Sequence, residues 1–541
     1  MKDYAVAVAF LGQWGHFQQV VFFLLCASIV PNGFGTFILV FLTDEPSHNC
    51  FVPDVNLTED WRKSVIPIAV VNGKQELSKC SRYRLDVVRN LSNQGYIPGR
   101  DVNLAELEQE GCVDGWVYSK NIYQSTVVTE FDLVCSERWK QPFTSTVFFV
   151  GVLCGSFFSG PMSDRYGRKP VLFATLVAQT LFTFAQVFST SWIMFIILLF
   201  FKGLGQISNF VAALVLGAEV LTGNVRVLYS SMGICLSFAI GYMLLPLVAY
   251  FLRDWKSLLL ALLLPESPRW LLSQGRVEEA EAVIRKAAQW NKVQAPRVIF
   301  EHYNETKTDK ENSSVFDLLR HSSIRTTTLI LSLVLFTMTT GYCSLSFNAA
   351  QLHSNPYVSC FISAVVEIPA YVSSWMALRY LPRRWSVIGT LILGAVPLFF
   401  IQLVPEHLLN LSLTLEMMSK YALTTGYSLI FTYTTELYPT ALRNTATGTT
   451  TTVSRIGCCV TPFLLSLRGY FKYLPYITLG TLAVLTAFAA LFLPESFKQP
   501  LPETIQQMHE RKKRRNAPPV RSDEETLSRL EHQRNRAHDK T

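Results

Sequence analysis

Residues 142–190 read PFTSTVFFVGVLCGSFFSG, then PMSDRYGRK, then PVLFATLVAQTLFTFAQVFST: a charge-free apolar run, a basic turn and a second charge-free apolar run. The runs, near 142–162 and 171–190, each have about the 20 residues a helix needs to cross a hydrocarbon core. Between them Asp164, Arg165, Arg168 and Lys169 crowd one short turn, where Gly160 and Gly167 permit the bend. The pattern is that of two antiparallel membrane helices joined by a basic loop.

The same alternation fills the chain. Apolar runs lie near 20–42, 142–162, 171–190, 192–217, 229–251, 257–264, 326–348, 357–378, 387–405, 407–433, 445–467 and 473–493. Eleven are long enough to span, whereas 257–264 supplies eight residues, or roughly 12 Å of helix. Of the 541 residues, 50% are hydrophobic and 16% charged, against roughly 25% charged in a soluble domain. Disordered and collagen-like classes are excluded, and the class is an all-α polytopic membrane protein lying in a lipid bilayer.

Charge and cysteine placement orient it. Arg165, Arg168 and Lys169 follow the second run, Arg379, Arg383 and Arg384 follow the eighth, and Arg511–Arg515 lie in the tail, so these segments are expected in the cytosol. Both termini, 1–19 and 494–541, are expected there too. The basic tail is read as this signal and not as a nucleic-acid site. Residues 43–140 hold fifteen Asp/Glu against eleven Lys/Arg, and carry Cys50, Cys80, Cys112 and Cys135 with the sequons at Asn56 and Asn90. An acidic loop with these features is expected outside, glycosylated and with two disulfides, for which three pairings are open. Run 20–42 is too long for a signal peptide and is helix 1.

Six runs precede a hydrophilic centre, 265–325, and six follow it. Glu219 is followed seven residues on by Arg226, and Glu436 seven residues on by Arg443; Pro265-Glu-Ser267 closes the first half and Pro494-Glu-Ser496 the second. Landmarks repeating in order imply a duplicated six-helix unit, 142–264 completing one half and 326–493 forming the other. The offset is 215 residues at Arg168/Arg383, 217 at Glu219/Glu436 and 229 at Pro265/Pro494, so about a dozen residues are missing from helix 6. A strained twelve-helix topology with a short helix 6 is expected.

Gly160-x-x-x-Asp164-Arg165-x-Gly167-Arg168-Lys169 resembles the loop 2–3 signature of the major facilitator superfamily. The large loop after helix 1, Pro265-Glu-Ser-Pro-Arg-Trp-Leu271 and Glu436-Leu-Tyr-Pro-Thr-Ala-Leu-Arg-Asn444 resemble its organic ion transporter family. The Met-Lys-Asp-Tyr start, Gly205–Ala213 and Ser454-Arg455-Ile-Gly457 are similar to the carnitine/ergothioneine branch. The resemblance implies two six-helix halves around a midplane cavity and secondary-active transport at the plasma membrane, coupled to Na⁺ in part of the branch and with the coupling of this chain left open.

Ionisable groups inside apolar runs mark substrate paths. Arg455, in the eleventh run, offers a fixed positive fork to a carboxylate, and the resemblance implies that Arg at this position goes with anion- and zwitterion-handling members. A quaternary ammonium would need aromatic faces, for which Phe210, Phe431 and Tyr433 are candidates; Gln206 and Asn209 share a run with Phe210. Asn32, between Pro31 and Gly33, is expected where helix 1 breaks and backbone carbonyls become available to an ion. Lys202, mid-helix 4, is expected to meet a substrate anion or a buried acid such as Glu367. Asn348 stands where the family usually has Asp, which also makes the path more positive.

Arg165 and Arg168 of one half are expected to clasp Glu436 of the other, with Arg443 and Glu219 as the symmetric partners, in an inner gate that also includes Asp164 and Arg226. No histidine lies in the interior of an apolar run and no Cys-x-x-Cys spacing occurs, so metal-hydrolase chemistry has no support. The expected function is transport of a small organic zwitterion or cation. Alternatives are an organic anion carrier, or a non-transporting binding or decoy protein because helix 6 is short.

Overall fold

The computed structural model describes residues 14–53, 57–71, 74–166, 168–221, 225, 228–261, 322–349, 355–405, 408–438 and 440–496. Residues 265–321 of the central segment expected in the cytosol, residues 497–541 of the tail, and Asn56 lie outside them.

The helices follow the apolar runs: α1 (His16–Phe37), α2 (Lys140–Tyr166), α3 (Arg168–Val187), α4 (Trp192–Val220), α5 (Ile234–Phe251) and α6 (Trp255–Ala261). The second set is α7 (Ser322–Asn348), α8 (Pro356–Tyr380), α9 (Arg383–Phe400), α10 (Leu409–Leu437), α11 (Thr440–Ser466) and α12 (Leu474–Ala490). Eight helices among the described residues are long and apolar enough to cross a membrane. The described part of α6 has seven residues, and its first turn is capped by Asp254, whose carboxylate accepts from the Ser257 N–H at 3.2 Å.

The duplication inferred from the landmarks is present in the packing. In the first half α1 packs on α5, α2 on α4, α3 on α4, and α1 on α4; in the second, α7 packs on α11, α8 on α10, α9 on α10, and α7 on α10. The halves meet through α2 with α11 and α5 with α8, a pair that exchanges into itself when the halves are swapped.

Helix 1 departs from expectation. It runs unbroken through Pro31 and Asn32 to Phe37. Gly33 is needed for contact, not for a break: a Cβ there would stand 2.0 Å from the Phe238 carbonyl oxygen of α5, and one on Gly241 would stand 2.0 Å from that of Val30. Reciprocal glycines let the two backbones touch. The interrupted helix is α8, whose two segments end at Val365 and resume at Glu367. Pro369 has no N–H to give the carbonyl four residues back, which is Val365.

The described residues between 43 and 139 form a domain on one side of the helices, called here the loop face. Strands β1 (His48–Cys50) and β2 (Trp116–Tyr118) pair antiparallel, and a small core gathers Trp61, Val65, Tyr83 and Val88. Of the three pairings open from sequence, the structure has Cys50–Cys112 and Cys80–Cys135. Asn90 is exposed on the helix Leu85–Asn93.

At the loop face the halves are closed on one another. Tyr357 of α8 stacks on Phe41 at 5.5 Å and 15°, and its hydroxyl donates to the Ile122 carbonyl at 3.1 Å. One apolar cluster includes Phe37, Phe41 and Tyr242 from the first half and Tyr342, Tyr357 and Cys360 from the second.

Candidate functional site

Deeper between the halves lies a group of charges and tyrosines. Gly457 presses α11 against α7, where its Cβ position is 2.5 Å from the Thr340 hydroxyl, and Arg455 sits one turn-half earlier on the same helix. Its Nε is buried and has no hydrogen-bond partner. The guanidinium lies within electrostatic reach of Tyr427, Cys458, Cys343 and Tyr342. No acid among the described residues pairs with it.

Tyr342 and Tyr427 stack in parallel, 5.7 Å apart at 3°. Phe431 meets the Tyr427 ring edge-on at 4.9 Å. The Tyr342 hydroxyl donates to Glu367 Oε1 at 3.0 Å, and Lys420 Nζ lies 3.0 Å from that same oxygen. Both members of the ion pair are fully buried. Lys420 also donates to the Ser363 carbonyl at 2.9 Å and hydroxyl at 2.6 Å, and stands 4.6 Å from the Tyr242 ring, which belongs to the other half. Arg455, Lys420 and Glu367 together leave one net positive charge, with paired tyrosines between the lone guanidinium and the neutralised pair. Such a site suits a carboxylate beside an aromatic-bound group.

Near the loop face Glu416 is a second buried acid, also committed. It accepts from Asn348 at 3.0 Å and from Tyr476 at 2.9 Å, while Arg468 donates to the Asn348 amide oxygen at 3.0 Å. Asn348 therefore serves as a neutral bridge.

In the first half, Asn32, Gln206 and Asn209 come together. Asn32 donates to Asn209 at 3.1 Å, and Gln206 donates to the Asn32 carbonyl at 2.7 Å and to Thr36. With helix 1 unbroken, that carbonyl is not released; Thr36 donates to it as well, at 2.7 Å. Phe210 packs between two apolar clusters of this half. No hydrogen bond or ion pair among the described residues joins Arg455 to Asn32, Gln206, Asn209 or Lys202.

Three expectations change. Lys202 does not face Glu367, which Lys420 holds; its ammonium is buried with no partner. Tyr433 is a packing residue, because it is fully buried in the second-half core with its hydroxyl on the Pro494 carbonyl. Glu436 is engaged within its own half: Arg383 bonds it at 3.2 and 3.3 Å and Ser496 donates to it at 2.6 Å. Glu495 in turn accepts from the Arg383 and Arg384 backbone N–H groups at 2.8 and 3.1 Å. The three landmarks that repeat in sequence thus converge in space, binding the ends of α9, α10 and α12 into one knot. Arg165 is exposed beside the Tyr166 ring, at 5.7 Å. The side chains of Asp164, Arg168, Glu219 and Arg443, and all of Arg226, lie outside the described residues.

Sequence reasoning missed Lys420 and Glu416, and assigned Glu367 to the wrong lysine. The signal was present, since all three interrupt apolar runs as Arg455 does.

Residues 114–508 match the family of sugar and other transporters. The chain is 49% identical to Organic cation/carnitine transporter 2 of Mus musculus over 94% of each chain. It is 48% identical to Solute carrier family 22 member 4 of the same species, over 94% of this chain and 95% of that one. It is 32% identical to the Organic cation transporter protein of Drosophila melanogaster, over 93% and 94%. Among solved structures, the inward-open xylose transporter XylE from E. coli superposes with a TM-score of 0.54 over 90% of this chain and 98% of that chain, at 14% identity, a likeness of fold alone. Two packed six-helix halves, a charged centre between them and these relatives lead to one assignment: the chain is a multi-pass membrane transporter, not an enzyme, of the major facilitator fold, and belongs to the family of sugar and other transporters, in its organic ion transporter group.

Proposed function

We propose that the protein carries small organic zwitterions or cations, of the carnitine or ergothioneine kind, across the plasma membrane by alternating access. The single observation that carries this is Arg455: a permanent cation whose Nε is buried without a hydrogen-bond partner and which no acid among the described residues neutralises. A substrate carboxylate is its natural partner, while an onium group would lie against the Tyr342 and Tyr427 faces and the edge of Phe431. The disulfide-bonded loop face is the extracellular one, with both termini in the cytosol, so the closed contacts around Tyr357 form the outer gate. In the opposite state the halves rock apart there.

A second reading, organic anion transport, is favoured by one observation: Glu367 and Glu416, the buried acids in the described membrane interior near this path, are both engaged, so no free acid waits for a cation. Surface expression followed by uptake of labelled L-carnitine, ergothioneine, tetraethylammonium and p-aminohippurate decides between them. Preference for the zwitterions is expected. Uptake of p-aminohippurate alone would favour the anion reading, and glycosylated surface protein with no uptake of any probe would refute transport.

A further inference from the structure

The buried charge that the proposed substrate site does not use is Lys202. Three observations fix its setting. Gly205 of α4 faces α3, its Cβ position being 3.4 Å from the Thr175 carbonyl oxygen and 3.5 Å from the Gln179 nitrogen, while Gln206 faces α1 through Asn32 and Thr36. Lys202 precedes these by three and four residues, so it lies on the line between α1 and α3. It is fully buried there.

The second observation is what surrounds that seam. The buried faces of α3 and α4 are polar at helical spacing, with Gln179, Thr183 and Gln186 on one and Lys202, Gln206 and Asn209 on the other. The amide oxygens of Asn32, Gln179, Gln186 and Gln206 are buried without a hydrogen-bond partner, and so are two donors, Gln186 Nε2 and Lys202 Nζ. Orphaned acceptors outnumber donors, which is the chemistry of a cation site.

The third is the absence of countercharge. Residues 18–42, 141–163, 170–187, 192–217 and 229–251 contain no Asp, Glu, His or Arg, and no other Lys. The cysteines and tyrosines in these spans are Cys26, Cys154, Cys235, Tyr229, Tyr242 and Tyr250, and an ordinary thiol or phenol supplies no countercharge at pH 7.

The family resemblance leaves open a coupling Na⁺ near Asn32, but the residues present do not fit one. The Asn32 carbonyl is already bonded by Thr36 and Gln206, and a Lys202 ammonium, one helical turn from Gln206, would weaken Na⁺ binding there on the order of 100-fold. We infer that Lys202 is a built-in cation whose ammonium takes the place of the coupling ion in the α1–α3–α4 seam, so that this protein transports without Na⁺.

The inference rests on the transport reading, and its test separates the two. Uptake of labelled L-carnitine and tetraethylammonium by the full chain is measured in Na⁺ and in N-methylglucamine buffers for the native protein, Lys202→Met and Lys202→Arg. Native and Lys202→Arg uptake should differ less than 2-fold between buffers, while Lys202→Met should become Na⁺-stimulated by 5-fold or more. Thermal unfolding of the purified proteins gives a readout independent of turnover: Na⁺ should raise the midpoint of Lys202→Met and leave the native midpoint unmoved. Native uptake that falls 5-fold without Na⁺, or a folded Lys202→Met protein that responds to Na⁺ in neither assay, would overturn the inference while leaving transport intact. No uptake of either probe by native protein at the surface would instead overturn the transport reading, and the built-in cation with it.

Discussion

Replacing Glu367 by Gln keeps the shape of the side chain and an acceptor for the Tyr342 hydroxyl, and removes only the charge facing Lys420. At the observed 3.0 Å, two unit charges interact by about 5 kcal/mol at an effective dielectric of about 20. Lys420 keeps its two bonds to Ser363 and the Tyr242 ring, which offset part of that. The expected loss is therefore about 3–5 kcal/mol, the range for stranding one member of a buried pair. Lys420→Met should cost about as much, since it strands the carboxylate. The double variant leaves no uncompensated charge and should be more stable than either single, a coupling of at least about 3 kcal/mol. Equilibrium unfolding of the purified proteins in one detergent measures all four corners of the cycle. Single variants within about 1 kcal/mol of native, or losses that simply add, would refute the account of this pair.

Other outcomes follow from the packing and the loop domain. Gly241→Val places its side chain on the Val30 carbonyl and should prevent α1–α5 contact, seen as loss of surface protein; Gly448→Val, whose Cβ position has nothing within 4 Å, is the matched control and should be near native. Cys50→Ser should cost about 2–5 kcal/mol of loop stability, with Cys50→Ser/Cys112→Ser no worse than either single, as limited proteolysis of the loop would show. Asp44 sits beyond α1, accepting from Tyr123 at 2.7 Å, and burial raises its carboxyl above the ordinary 3.8 against the opposing Tyr123 bond. Folding thus shifts the balance toward the neutral form. Its contribution is full below the ordinary value and is lost as pH rises through the raised one. Asp44→Asn should flatten that part of the pH–stability curve, and identical curves would contradict it.

What the sequence made legible follows from what a bilayer punishes. Apolar length, basic turns and repeated landmarks are enforced along the chain itself, so the two halves and their symmetric packing could be read before any contact was known. Arg455 was legible for the same reason, since a guanidinium in an apolar run needs explaining. Partners were not legible: Glu367 meets Lys420 and not Lys202 because α8 and α10 face one another, which spacing within one helix does not reveal. Helix 1 was misread because proline and glycine signal both breaks and close contacts, and Gly33 is required for contact with Phe238. Tyr342, Tyr427 and Tyr242 carry no sequence signal, being ordinary aromatic residues until three helices bring them beside the charges. The gate at Glu436 was placed across the halves, whereas the motifs of the second half hold that half's own helix ends.

The central claim is that Arg455 receives a substrate carboxylate. The most direct measurement is the uptake of L-carnitine, which has a carboxylate, against tetraethylammonium, which has none, by native protein and Arg455→Gln at matched surface levels. Loss of one charge-assisted bidentate contact should cost L-carnitine roughly 10- to 100-fold in kcat/KM and leave tetraethylammonium within about 3-fold. Equal losses for both substrates, or an unchanged value for L-carnitine, would contradict it.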